Sequence, residues 1–365
     1  IRHMKKIRTI ALYLPQYHPC KENDKQWGTG HTDWNNVVKG YKRFKGHYQP
    51  HEPADLGYYD LRLPETRMQQ AEIAKKYGID GFCYYHYWFG GKRIIERPFN
   101  EVLNSKQPDF PFMLCWANES WARTWDGTKE IFMEQTYSDE DSLNHIKWLI
   151  KAFKDPRYIK IDGKPVLAIY KPTNIENIGS LMKIWQTELK KEHMNIYLCY
   201  YKNEYIDTSH IEKYFDAAID YLPQNMKGFR KTQFRVLNKL NGILSHYKLN
   251  HCYFNFIFNY KTLFTYLLKQ PLPSKKTYPC IFPSWDNCCR RLHSSFMAFK
   301  NSTPDLYKEW LEAEMRRFKP FSTEENLFFI NAWNEWAEGA HLEPDRKWGY
   351  KYLEVTKQIT DEINK

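Results

Sequence analysis

The chain has 365 residues, 42% of them hydrophobic and 17% aromatic, and carries a formal net charge of +11. That length fits one large α/β domain with insertions, and that apolar content fills a sizeable core. No run of 18 apolar residues is present, which argues against a membrane-spanning helix, and the eight cysteines form no CxxC pair, which argues against a zinc ribbon or a disulfide framework.

Ile1 to His3 read as vector-derived residues ahead of Met4, so residues 1–5 are expected to be an unstructured start and residues 6–365 a single catalytic domain. The first apolar strand is expected at Ile10–Leu14, delivering Tyr13 and Gln16 into YLPQYHP. A helix over Glu65–Tyr77 stops at Gly78, a common entry into a following strand. That strand, Gly81–Tyr85, leads into Tyr85, His86 and Trp88, which suit sugar hydroxyls and faces or, alternatively, a packed aromatic cluster. The third, Phe112–Trp116, presents Trp116, Asn118 and Glu119, with Trp121, Arg123 and Trp125 after it. Glu119 reads either as a substrate-contacting carboxylate or as the ion-pair partner of Arg123. The acidic run at Asp139–Asp141 caps the helix Asp139–Phe153 better than it makes a DxD metal site.

Strands at Val166–Tyr170 and Ile196–Tyr200 flank a helix over Ser180–Lys191, and a sixth strand is expected at Ala217–Tyr221. Between Leu222 and Trp285 there is no Asp or Glu, while Lys227, Arg230, Lys231, Arg235, Lys239, Lys248, Lys261, Lys269, Lys275 and Lys276 all fall there. Residues 222–276 therefore read as a basic, partly helical insertion between the sixth and seventh strands. Its mixture of cations and aromatics suits an anionic membrane surface, and no nucleic-acid recognition motif accompanies it. With no signal peptide after Met4, the expected location is the cytoplasm, peripheral at the inner membrane. The seventh strand, Tyr278–Phe282, runs into PSWDN with Trp285 and Asp286, and a helix over Pro304–Arg317 follows.

The eighth strand, Leu327–Asn331, opens into Asn334, Glu335, Trp336 and Glu338, with a closing helix at Tyr350–Ile363. Two carboxylates three residues apart, framed by indoles at a strand end, suit acid/base work on a sugar: tryptophan faces stack on pyranose C–H groups and carboxylates move the protons. A bare ExxE would read as a solvated helix start. Eight strands alternating with helices predict a (β/α)8 TIM-type barrel, whose strand ends gather on one face. The alternative, an open doubly wound sheet, normally carries a Gly-rich phosphate loop, and none is present. No metal or cofactor is expected. Cys83, Cys115, Cys199 and Cys280 sit in the apolar runs as small hydrophobes.

YLPQYHP, NDKQWGTGHTDWNNV, DGFCYYHYWF, CWANESWARTWDG, DGKPVLAIYKP, PSWDN and NAWNEWAEGAHLEPD together resemble the WbsX-type proteins of bacterial O-antigen and capsule clusters, which are labelled glycosyltransferases and related to the glycoside hydrolase family 99 barrel. The resemblance runs from Lys6 to Leu353 apart from the basic insertion. It implies an oligo- or polysaccharide substrate and a retaining route through a 1,2-anhydro sugar. In that route the residue matching Glu335 takes the proton of the sugar's own 2-hydroxyl, and the residue matching Glu338 protonates the leaving oxygen. The expected function is glycoside hydrolysis; a cell-surface polysaccharide glycosyltransferase and an inactive glycan-binding barrel are the alternatives.

Overall fold

The computed structural model describes residues 6–122, 130–247, 249 and 253–365; the expected unstructured start, Arg123, Trp125 and Lys248 lie outside them. A parallel barrel forms from β1 (Arg8–Tyr13), β2 (Gly81–Phe89), β3 (Phe112–Trp116), β4 (Lys164–Ile169), β5 (Tyr197–Tyr201), β6 (Ala217–Ile219), β7 in two pieces (Thr277–Tyr278 and Cys280–Ile281) and β8 (Leu327–Ile330). β1 pairs with both β2 and β8, in the registers Ile10↔Gly81 and Arg8↔Leu327. Pro279 divides β7 because proline has no N–H for the ladder. The piece before it pairs with β6 and the piece after it with β8, so the broken strand still closes the ring. The Pro279 carbonyl accepts from Phe329 N at 2.9 Å across the gap.

Side chains of a strand alternate between barrel interior and helix layer. Along β2, Cys83 lies where it feels Cys115, Cys199 and Cys280 from β3, β5 and β7, which marks the interior. Tyr84 packs outward on Phe99 of the helix Arg97–Ser105 at 5.4 Å between ring centroids. The helix Asp139–Phe153 begins as expected: Ser138 Oγ accepts from Asp141 N at 3.0 Å, and three acidic residues occupy its first turn. The helix Pro304–Arg317 starts on Thr303 in the same way.

Among its described residues, the stretch 222–276 holds two helices with different roles. Tyr260–Leu268 buries Tyr260, Leu263, Phe264 and Leu267, and Phe264 stacks on Trp310 at 5.8 Å, so this is the barrel's regular helix between β6 and β7. Lys231–His246 buries none of its residues. It touches the body through Phe234, stacked on Phe256 at 4.8 Å, while Val236, Leu240 and Ile243 are 51%, 38% and 46% exposed on another face. The inserted part is thus narrower than the charge run. No helix among the described residues is long and apolar enough to cross a membrane.

Candidate active site

A cleft of about 440 Å³ opens at the C-terminal ends of the strands, and Glu335 and Glu338 are on its wall. The segment that carries them is pinned on several sides. Trp333 N donates to the Leu12 carbonyl at 2.7 Å. The Asn334 amide clamps Leu14, accepting from its N at 2.7 Å and donating to its carbonyl at 3.0 Å. Tyr17 Oη donates to the Asn334 carbonyl and accepts from Trp336 N. Glu335 then pairs with Ala340, and residues 336–338 form one tight turn ending at Gly339. Gly339 has φ +59°, and a Cβ there would lie 3.1 Å from Asp286 N, so both conformation and space call for glycine.

One arginine organises the carboxylates. Arg290 donates from Nη1 to Glu338 at 2.7 Å, and from Nη2 to Glu335 at 3.2 Å and to Asp33 at 2.7 Å. Burial pushes the Glu335 carboxyl up to about 8, and the neighbouring Glu338 charge adds to the rise against the pull of Arg290. Burial raises Glu338 as well, and Arg290 opposes it more directly. The Glu338 side chain is also the more open, at 20% exposure against 7% for Glu335. Both carboxyls are therefore held above the ordinary range, and each raises the other's hold on a proton.

Around the pair the cleft is aromatic. Trp27, Trp121 and Phe132 form a half-buried wall, with Trp121 edge-on to Tyr87 at 5.2 Å. Gln16 lines the cleft and donates to Tyr87 Oη at 3.0 Å. Tyr85 and Trp285 also line it. Gln224 Oε1 and Trp285 Nε1 are buried there without a hydrogen-bond partner among the described residues, an arrangement that suits ligand hydroxyls. Glu119 is at the rim, paired with Lys171 at 2.6 Å.

The other expected contacts point elsewhere. Tyr13 Oη donates to Gln70 in the helix layer. His86 and Trp88 also face outward: His86 Nε2 is 2.9 Å from His145 Nε2, and Trp88 Nε1 donates to Asp141. Trp116 packs on His145 and Trp185. Asn118 binds the backbone of Lys171 and the Tyr137 hydroxyl. Asp286 turns to His47 and Gln49, and despite its burial the hydrogen bonds from these two hold its carboxyl below the usual range. Trp336 is wholly buried, stacked on His341 and donating to Glu343, so it offers no sugar platform. For these residues the side-chain direction, fixed by strand alternation and backbone clamping, removes them from the cleft.

Arg290, Asp33, Trp27, Phe132 and Gln224 were not singled out as site residues from sequence. Asp33 and Trp27 lie inside NDKQWGTGHTDWNNV, whose density of polar and aromatic residues was a usable signal; Arg290 follows PSWDN with no pattern to mark it. Two buried groups, His47–Asp286–Cys288 and His51–His341–Asp345, have ligand atoms within 4.8 Å of one another. Both contain internal hydrogen bonds, 2.5 Å for His47–Asp286 and 2.8 Å for His51–His341.

A family model described as glycosyltransferase WbsX matches residues 9–356. Two uncharacterised WxcX proteins, from two strains of Xanthomonas campestris pv. campestris, are 36% and 35% identical over 354 residues. Those matches cover 96% of this chain and 49% of each relative, so the chain spans about half the length of the curated relatives it matches. Among solved structures, a family 99 endo-α-mannosidase from Bacteroides thetaiotaomicron superposes with a TM-score of 0.56 at 14% identity, covering 98% of this chain and 97% of that one. A glycoside hydrolase-like protein gives 0.59 at 13% identity, covering 98% and 95%. At these identities the likeness is one of fold, and it agrees with the (β/α)8 barrel.

Proposed function

The chain belongs to the WbsX family, and from that premise we propose that it is a carbohydrate-active enzyme that cleaves glycosidic bonds at the Glu335–Glu338 pair. The observation that carries this reading is a buried carboxylate pair, bridged by Arg290 and raised by burial, beside an aromatic wall. Cleavage needs one carboxyl as acid and one carboxylate as base, and a singly protonated pair supplies both. In the anhydro-sugar route Glu335 takes the 2-hydroxyl proton while O2 attacks C1. The bond from C1 to the leaving oxygen breaks, and Glu338 protonates that oxygen. Water then opens the three-membered ring, giving a proton to Glu338 as Glu335 returns its own to O2. Burial raises Glu335 to about 8, so this route requires the acid proton to sit on Glu338 once glycan is bound, with Arg290 turned toward Glu335. The test is product analysis on O-antigen and α-mannan oligosaccharides without nucleotide sugar. Release of reducing ends is expected; turnover only after nucleotide- or lipid-linked sugars are added would make the enzyme a transferase.

A second reading, transfer to a sugar acceptor at an anionic membrane surface, is favoured by the helix Lys231–His246. Its exposed Val236, Leu240 and Ile243 lie beside Lys231, Arg235 and Lys239, an apolar stripe flanked by cations. Deleting the whole basic stretch would remove the barrel helix Tyr260–Leu268, so point changes are the cleaner probe. The protein is expected to sediment with phosphatidylglycerol vesicles, to be released by high salt, and to lose binding when Val236, Leu240 and Ile243 become serine. Equal sedimentation of variant and wild type would remove the membrane from the account.

A further inference from the structure

We propose that the cleft contains an anion subsite centred on Arg291, and that the glycan it accepts carries an oxyanion, a uronate carboxylate or a phosphate, next to the bond being broken. This rests on the glycan reading above and adds a substrate class to it.

The charge pairing in the cleft leads there. Arg290 is committed to Asp33, Glu335 and Glu338, and Lys171 is committed to Glu119. Arg291 lines the same cleft, yet its guanidinium makes no hydrogen bond or ion pair among the described residues. It is a half-buried side chain, and burial works against its charge; the field of Glu338 favours that charge while Arg290 repels it. A guanidinium does not escape such a position by losing its proton, because it stays ionised throughout the working pH range. The cost of partly desolvating it is recovered when an anion arrives. Its planar donor fork fits two oxygens of a carboxylate or phosphate at once, with charge-assisted hydrogen bonds stronger than those to neutral hydroxyls.

A neutral sugar chain makes no such demand. Gln224 Oε1 and Trp285 Nε1, without partners among the described residues, are suited to hydroxyl groups, whereas a guanidinium that none of those residues engages is suited to negative charge. The chain's formal charge of +11 acts in the same direction at longer range by drawing polyanions toward the molecule. Arg291 is close enough to Glu338 for each to act on the other's charge, so an anion held there lies near the carboxylate pair. It also lends Glu338 a counter-charge that the glycan's own oxyanion would take away. The order of events would then be anion capture first and proton transfer to Glu338 second, since weakening that counter-charge raises the affinity of Glu338 for the proton.

Calorimetric titration tests this with uronic acid oligosaccharides, their carboxyl-reduced neutral counterparts, and a sugar 1-phosphate with its neutral methyl glycoside. Wild type is expected to bind at least one acidic ligand about tenfold more tightly than its neutral partner, with the preference lost at high salt. The stronger arm identifies carboxylate or phosphate as the source. Arg291→Gln should erase the preference while leaving neutral binding in place, and Arg291→Lys should keep part of it. Neutral glycans bound as well as acidic ones, or an equal loss of both in Arg291→Gln, overturns the anion subsite and leaves the glycan reading standing. Binding of neither class overturns both.

Discussion

Glu335→Gln and Glu338→Gln are each expected to lower glycan cleavage by roughly 10²–10⁴-fold, the usual worth of a positioned acid or base, with the barrel intact. The amide keeps the shape and can still accept from Arg290, so circular dichroism and thermal melting should show folded protein. Replacing Glu335 also removes a carboxyl whose ionised form is disfavoured by burial and by Glu338, so that variant should be at least as stable as wild type at pH 8. The two losses differ in kind. A glycoside with a good aryl leaving group needs no proton on its departing oxygen, so Glu338→Gln should recover much of its rate on it. Glu335→Gln should not, because the 2-hydroxyl still lacks its base. Recovery in the opposite variant would exchange the roles, and full activity in either would remove the pair from catalysis.

The same pair sets the alkaline limb of the pH profile. With Glu335 up at about 8, activity should fall as pH rises through that region, where that carboxyl loses its proton. Arg290→Gln deletes the cation that holds both carboxyls down, so that limb should move to higher pH.

Stability against acid should decline gently below pH 6.5 and then drop steeply below about 4.5. Burial drives His86 and His51 down to about 3, with the charge of Arg93 adding to the shift at His86 and His341 adding at His51. His145 moves strongly the same way by burial and by His86. The unfolded chain protonates these rings near 6.5 and the folded one resists, so each costs about 1.4 kcal/mol per pH unit once pH is below 6.5. Glu335 and Glu343 act oppositely. Burial raises them to about 8 and about 7, so the folded protein binds their protons first and gains stability as pH falls toward 4.5. Down to that point the two carboxyls offset most of the loss from the three histidines. Below it the carboxyls are protonated in both states and the histidines continue alone, so the loss steepens. Asp155, held low against its own burial by Arg157 and Lys106, adds to the loss at still lower pH. Denaturant melts from pH 8 to 3.5 measure the curve. Replacing His86 and His145 with phenylalanine and leucine should flatten the acid arm by about two protons, and an unchanged arm would mean these rings are charged in the folded state.

The barrel was legible in the sequence because its strands are short apolar runs and several of its helices carry a cap or a 3.6-residue stripe. The run Asp139–Phe153 and the run Pro304–Arg317 were readable to the residue for that reason. The site was legible only in part. Position along the chain shows which residues reach the strand ends, but strand alternation decides which of them face the cleft. Tyr85 and Tyr87 line it while His86 and Trp88, one step out of phase on the same strand, enter the helix layer. Counting in twos along GFCYYHYWF would have separated them. No local pattern marks Arg290, because its role comes from three carboxylates that the fold brings to it from residues 33, 335 and 338.

The clamp of Asn334 on Leu14, and the pairing of β1 with β8, make the placing of the two glutamates depend on closure of the ring between the two ends of the chain. Until Leu327–Ile330 has been synthesised and has found Arg8–Tyr13, more than 300 residues earlier in the chain, β1 has an open edge and the two glutamates have no fixed place. Contacts so distant in sequence form late, since a long loop must close before they reward it. On the proposed reading a partly opened chain would be inactive, and turnover would report that the ring has closed.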